Sequence, residues 1–371
     1  MPPRIRNRSR TRRSTPEGAW MYGRRGGPPP HGGRARGSAR RLTAALAGAM
    51  LLAGCSAGQD GDDDASGAAS TVRQRPKAVA PYWVDPRSDA ARQAAAYRAD
   101  GDSERAAHMD RIARQPAATW IGPDDPRGRT ERVTKAAAGA GRSALLVLYN
   151  VPHRDCGQYS KGGAQDAAAY RQWLGEVTEG IGGRAATVIV EPDAVAHAVA
   201  GDCAEQPDAE ERYGLLDEAV TRLKRLPRTT VYLDAGNPDW IRDAGALVEP
   251  LRRSGIASAD GFSLNVSNYQ TTASNIAYGK ELSPKVGNKP FVIDTSRNGN
   301  GPASGGGGQA WCNPPGRALG EAPTVRTGHR LVDAYLWIKR PGESDGECRG
   351  GPRAGHWWPS YALDLARRAG G

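Results

Sequence analysis

The chain has 371 residues, enough for two average domains or one large α/β barrel, and carries 51 Lys and Arg against 40 Asp and Glu for a formal net charge of +11. The excess sits in residues 1–41, which hold twelve arginines and one acid, Glu17, so the rest of the chain is neutral. A neutral body has no face that tracks phosphates, which excludes a nucleic-acid-binding reading.

The basic block runs into LTAALAGAMLLAGC, Leu42 to Cys55. A positive lead followed by about a dozen apolar residues has the length of a signal-peptide core. It is too short for a bilayer span, which takes ~20 apolar residues. The segment ends Leu52-Ala53-Gly54-Cys55, which resembles a bacterial lipobox with Cys55 as the lipidated mature N-terminus. Arg40-Arg41 is at most a weak twin-arginine hint. Residues 56–77 are small and polar and read as a flexible tether. From about Val79 the composition is globular to the end, so residues 78–371 are expected to form one domain. The remaining cysteines, Cys156, Cys203, Cys312 and Cys348, are even in number, suit an oxidising compartment and allow three pairings. No spacing suits a zinc site, and no metal or other cofactor is expected.

Seven short apolar runs follow, at residues 117–122, 144–150, 187–193, 229–236, 261–269, 290–298 and 334–342. Between most of them lie helical patterns, such as residues 167–181 and 212–226. Strand alternating with helix means a parallel sheet. Seven such strands predict a distorted, incomplete β/α barrel, with a doubly wound open sheet as the alternative. The Gly-rich stretch Gly299–Gln309 lacks the ending of a phosphate-binding loop and reads as a flexible surface loop. The strands end in polar or aromatic residues: Trp120, Tyr149, Asp193, Asp234, Asn265, Asp294 and Lys339. In a parallel barrel such ends converge on a ligand at the C-terminal face.

The reactive groups at hand are carboxylates, namely Asp155, Glu191, Asp193, Asp234, Asp294, Glu343 and Asp345, and no G-x-S-x-G elbow supports acyl transfer. Nine tryptophans against two phenylalanines are more than core filling suggests. An indole offers a flat apolar face to a sugar and an N–H to its hydroxyls. Carboxylates among indoles suggest glycoside hydrolysis.

The stretches LYNVPHRDCG (148–157), VIVEPDAVA (188–196), YLDAGNPDW (232–240), GFSLNVSNY (261–269), WCNPPG (311–316) and WIKRPGESDGEC (337–348) resemble glycoside hydrolase family 6, the inverting cellulase family of endoglucanases and cellobiohydrolases. YWVDP (82–86) resembles its opening motif, and the likeness covers about residues 80–371. The resemblance implies Asp193 as general acid, its proton retained at an apolar strand end. It implies Asp155 as the carboxylate that tunes Asp193 and organises water, and Asp345 as general base. Tyr149 would press on the distorted sugar and Ser160 would position water. Trp120, Trp240 and Trp311 fall at sugar-stacking positions, and Asn265, Lys339 and Glu343 at hydroxyl-binding ones, with Asp234 behind them. Two positions depart from the pattern: Asn237 stands where histidine is frequent, and Gly122 where many members carry a polar side chain. The resemblance also implies the disulfides Cys156–Cys203 and Cys312–Cys348. A domain of this size leaves little chain for a tunnel roof, so an endo-acting β-1,4-glucanase is expected. The alternatives are a cellobiohydrolase, or a non-hydrolytic glucan-binding lipoprotein. The expected partners are a β-glucan or cello-oligosaccharide and, through the anchor, a membrane. The expected protein is an exported monomer at the outer face of the cell membrane, or secreted.

Overall fold

The computed structural model describes residues 82–201, 203, 209–304 and 309–370. The expected signal segment, the expected lipidation site Cys55 and the expected tether lie outside them. Helices α1 (Asp89–Ala99) and α2 (Ser103–Ala113) come first. Each is started by a side-chain cap that satisfies an otherwise orphaned amide, Ser88 bonding Ala91 N and Asp102 bonding Arg105 N. Their apolar residues, among them Ala94, Met109 and Ile112, pack in one cluster with Trp337, Tyr361 and Leu365.

Seven strands then alternate with helices. They are β1 (Thr119–Ile121), β2 (Ala144–Leu148), β3 (Ala186–Val190), β4 (Thr229–Asp234), β5 (Gly261–Leu264), β6 (Phe291–Asp294) and β7 (Val332–Leu336). The helices are α3 (Pro126–Gly139), α4 (Ala167–Ile181), α5 (Ala194–Ala200), α6 (Ala209–Lys224), α7 (Val248–Arg253), α8 (Thr272–Lys285) and, after β7, α9 (Pro359–Arg368). All neighbouring strands pair parallel in the order β1 to β7. The sheet curls until its edges meet at an isolated bridge between Ala117 and Trp337, where Ala118 N donates to Trp337 O at 2.9 Å. Higher up this seam the Trp120 indole N–H donates to Ile338 O at 2.9 Å. The expected seven-stranded incomplete barrel is the observed fold, and the open doubly wound sheet is not.

The apolar runs serve two faces because successive side chains point to opposite sides of a strand. Leu145, Val147, Ile189, Tyr232, Val292 and Leu336 fill the barrel, with Trp120 and Tyr149 at its mouth. Leu146, Leu148, Val188, Val190, Val231 and Leu233 face the helices instead. On α4, Tyr170, Leu174, Val177 and Ile181 recur every three or four residues and form the stripe that meets them.

Two expectations need correction. Most indoles in the described residues do pack in cores: Trp173 and Trp337 are buried, and Trp83, Trp357 and Trp358 are half-buried against core clusters. The stretch Gly299–Gln309 is not merely a surface loop, because its described residues Pro302, Ala303 and Gln309 line the large cleft.

Candidate active site

The cleft lies at the C-terminal ends of the strands and has a volume of about 1560 Å³. Its floor begins where β3 runs out. Glu191 and Asp193 flank Pro192, both with positive φ (45° and 71°), so the backbone turns sharply and the two carboxylates part. Glu191 is buried and accepts the amides of Asn150 (2.8 Å) and Val151 (2.9 Å), tying the end of β2 to β3. Burial outweighs these bonds and raises its pKa to about 7. Asp193 lines the cleft. It stands at the start of α5 but its side chain does not cap that helix. Its amide donates to Asp234 Oδ2 at 2.9 Å. Asp234, fully buried, also accepts Gly236 N (3.1 Å) and Ser263 Oγ (2.9 Å), and burial raises it to about 6. It is therefore the bracket that fixes the Asp193 backbone.

Asp155 also has a positive φ, 56°, and its Oδ2 accepts Ser160 N at 2.5 Å. Arg154 does not pair with it. That guanidinium bonds the carbonyls of Tyr149 (2.6 Å) and Ser160 (2.8 Å) and stacks 4.9 Å over the Tyr149 ring. Burial raises the Asp155 carboxyl, against the Ser160 amide and the nearby charges of His197, Arg154 and Lys339. Donor atoms of Asp155, Asp193 and His197 all lie within 4.8 Å of one another. Such a set has the donors to share one cation. Tyr149 meets Trp120 edge to face at 5.1 Å. Burial, then the charges of Asp193 and Asp155, push its phenol well up, so it stays protonated.

The opposite wall follows β7. Asp345 is buried and pairs with Arg297 Nη1 at 2.9 and 2.8 Å. It also accepts Tyr269 OH (3.1 Å) and Asn313 N (3.0 Å), and Lys339 Nζ stands 3.4 Å from Oδ1. Burial alone would raise this carboxyl, but Arg297 and Lys339 outweigh it and hold it below the usual range. Asp294 plays the part here that Asp234 plays opposite, accepting the amides of Lys339 (2.9 Å), Ser267 (3.0 Å) and Ser296 (2.9 Å). Glu343 is buried against Arg340, 2.6 Å away; burial raises its carboxyl and Arg340 opposes the rise. Gly346 follows Asp345 at φ 152°, and a Cβ there would lie 2.3 Å from the Tyr159 ring, so only glycine fits. Tyr159 in turn meets Trp311, ring centroids 6.1 Å apart. The disulfides Cys156–Cys203 and Cys312–Cys348 secure the segments that carry Asp155 and Asp345.

The residues expected to act on or bind the sugar all line this cleft except Asn265, while the carboxylates Glu191, Asp234 and Asp294 lie buried beneath it. Asn265 is fully buried, its side-chain amide donating to Asp294 O (2.8 Å) and its side-chain carbonyl accepting Gln270 N (3.0 Å), so it shapes the loop after β5 and does not line the cleft. Asn237 lines the cleft, but its carbonyl oxygen accepts the amides of Asp239 (3.1 Å) and Trp240 (3.2 Å) and so sets the indole of Trp240. The Trp120 N–H is spent on Ile338 O, leaving only its ring for a sugar. At Gly122 the backbone carbonyl takes the Trp173 indole N–H at 2.7 Å. Two residues escaped the sequence reading. Arg297 sits in the DTSRN run after β6, where an arginine looks solvated, yet is 0 % exposed. His197 lies four residues after Asp193, and that helical spacing, which places both on one side of α5, was the available signal.

Residues 77–369 match the family model for Glycosyl hydrolases family 6. The chain is 44% identical over 298 residues to endoglucanase A of Cellulomonas fimi, covering 79% of this chain and 62% of that protein. It is 45% identical over 297 residues to endoglucanase 1 of Streptomyces halstedii, covering 76% of this chain and 88% of that one. Among solved structures it is similar to the endoglucanase Cel6 from Mycobacterium tuberculosis in complex with methyl-cellobiosyl-4-deoxy-4-thio-β-D-cellobioside. The TM-score is 0.72 at 44% identity, over 78% of this chain and 97% of that chain. A family match over this span, carried by relatives at this identity, places the chain in glycosyl hydrolases family 6.

Proposed function

We propose that the chain is an endo-acting, inverting β-1,4-glucanase. The observation that carries the hydrolase reading is the Asp155–Asp193 pair, within 4.8 Å, on the floor of a cleft walled by Trp120, Trp240 and Trp311. The pair is too close to seat a water directly between acid and base, which takes ~6.5–9.5 Å, so inversion is drawn from the family and Asp155 reaches the attacking water through a relay. In an inverting reaction one carboxylic acid protonates the leaving oxygen while a carboxylate helps water attack the opposite face of the sugar. Two carboxylates this close retain a proton between them to higher pH than either would alone. Asp193, its backbone bracketed by Asp234, gives that proton to the glycosidic oxygen. Asp155 keeps the negative charge and, with Ser160 on the same loop, orders the water. The indoles hold the glucan by its apolar faces, and Tyr149 bears on the sugar at the reacting position.

The base assignment departs from the expectation. Arg297, Lys339, Tyr269 and Asn313 saturate Asp345, and a carboxylate held below its usual range is a weak proton acceptor. Asp345 serves as a fixed negative charge that holds Lys339 and its loop, and Asp155 relays the proton that water loses. The endo mode draws support from the names of the relatives. Export and anchoring through Cys55 draw support from the N-terminal pattern and the two disulfides. A monomer acting on soluble or amorphous glucan at the outer membrane face follows from the same reading.

The test is incubation of the chain with carboxymethylcellulose, following viscosity and reducing ends together. A rapid viscosity fall with few new ends, absent in Asp193→Ala, is the expected result. Binding without new ends would move the reading to a glucan-capturing lipoprotein.

A further inference from the structure

His197 has no part in the scheme above, yet its imidazole stands among the reacting carboxylates. Its amide donates to the Asp193 carbonyl at 2.8 Å, so the first turn of α5 fixes one side chain relative to the other. The residue is 4 % exposed. A ring nitrogen lies within 4.8 Å of carboxylate oxygens of both Asp155 and Asp193. The ring meets Trp240 edge to face, centroids 4.6 Å apart and planes at 80°. A ring nitrogen also lies within the same distance of the Cys156 and Cys203 sulfurs. Packing alone would be met by a leucine or phenylalanine. An imidazole adds a donor and an acceptor, or two donors and a charge, between two carboxylates.

We propose that His197 is a positioning residue, whose imidazole holds the Asp155 and Asp193 carboxylates in register with each other and with the indole platform of Trp240. The inference rests on the catalytic reading of that aspartate pair. It links the sugar platform to the proton donor, because one ring packs on Trp240 and stands within 4.8 Å of the Asp193 carboxylate. It also makes His197 one of the groups that decide when Asp155 carries its charge. The charged and titratable groups around the pair are Arg154 and Tyr149 beside Asp155, Asp234 under the Asp193 amide, Glu191 at the end of β3, Lys339 from the far wall, and Arg212 of α6. The Arg212 guanidinium reaches the carbonyls of Ala194, Pro152 and His153. Burial pushes the Asp155 carboxyl up; the Ser160 amide and then the His197 imidazole push it back. Without the imidazole Asp155 ionises only at higher pH, so activity that needs its charge loses its acid side first.

The test compares the full chain with His197→Gln and His197→Phe, the second keeping a ring against Trp240. For both, kcat is expected to fall about 10²-fold, the cost of a misplaced reacting group. KM should move far less, and the acid limb of the pH profile should shift upward. Unchanged kcat and an unmoved acid limb in His197→Phe would overturn the proposal, since ring packing would then suffice. A second readout needs no activity and so separates this inference from the catalytic reading. In urea unfolding, the double variant with Asp155→Asn should lose less stability than the two single losses together. Strict additivity would overturn the proposal even where the unaltered chain hydrolyses glucan.

Discussion

The two walls of the cleft carry carboxylates of one kind in opposite electrical settings. On the β2–β3 wall, Asp155 is raised by burial, takes one backbone amide and has Asp193 for a neighbour. On the wall after β7, Asp345 is more deeply buried yet lowered, because Arg297 and Lys339 stand against it. Burial raises every carboxyl here, and the presence of a buried cation decides the outcome. Asp155, with a proton to trade, faces Asp345, whose charge is locked.

The largest effect that would break this comparison is on stability. Asp345→Asn leaves Arg297 buried without its counter-charge and should cost about 3–5 kcal/mol in urea unfolding. Asp155→Asn should cost much less stability than that, about 1 kcal/mol, while kcat falls at least about 10²-fold. Equal stability losses would contradict the contrast between the walls. Reduction with a thiol is next. Each disulfide is worth a few kcal/mol, about 4 for loops of this size. Both hold the catalytic segments rather than the barrel strands, so activity should disappear before far-UV circular dichroism changes; simultaneous loss would count against it.

Stability against pH sharpens the same contrast. The folded chain holds a proton on Glu191 up to about 7 and on Asp234 up to about 6, against ordinary values of 4.5 and 3.8. The folded state thus binds more protons than the unfolded one between those limits, and stability should fall as pH rises through them. Asp345 acts in the other direction, its contribution present at neutral pH and lost as pH drops below the ordinary carboxylate range. Glu191→Gln keeps an oxygen for the Asn150 and Val151 amides and removes the charge. It should flatten the decline and be more stable than the parent above pH 7, measured as the thermal midpoint across pH. The smallest effect is expected for Asn237→Ala. Loss of the two turn bonds to Asp239 and Trp240 is worth about 1 kcal/mol, read as a severalfold rise in KM with kcat nearly intact.

The strands were legible because a run apolar on both faces suits only a sheet covered on both sides. The strand-end rule held in part: Trp120, Tyr149, Asp193 and Lys339 reach the cleft, while Asp234, Asn265 and Asp294 are buried beneath it. What sequence could not tell was the direction of each side chain once the chain left the strand. Glu191 and Asp193, alike in charge and two residues apart, have opposite fates because positive φ on both sides of Pro192 turns the backbone between them. Asn265 likewise turns inward at φ 67°. Arg297 was hidden for a different reason. A buried arginine is paired across space, and its partner Asp345 is 48 residues away.

The central claim is that Asp193 delivers the proton to the leaving oxygen. The direct measurement is hydrolysis of two aryl β-cellotriosides by Asp193→Ala, one with a phenyl leaving group and one with dinitrophenyl. Dinitrophenolate departs without a proton, so the account predicts a loss of about 10³-fold for the phenyl glycoside and little loss for the other. Equal losses on both would contradict it.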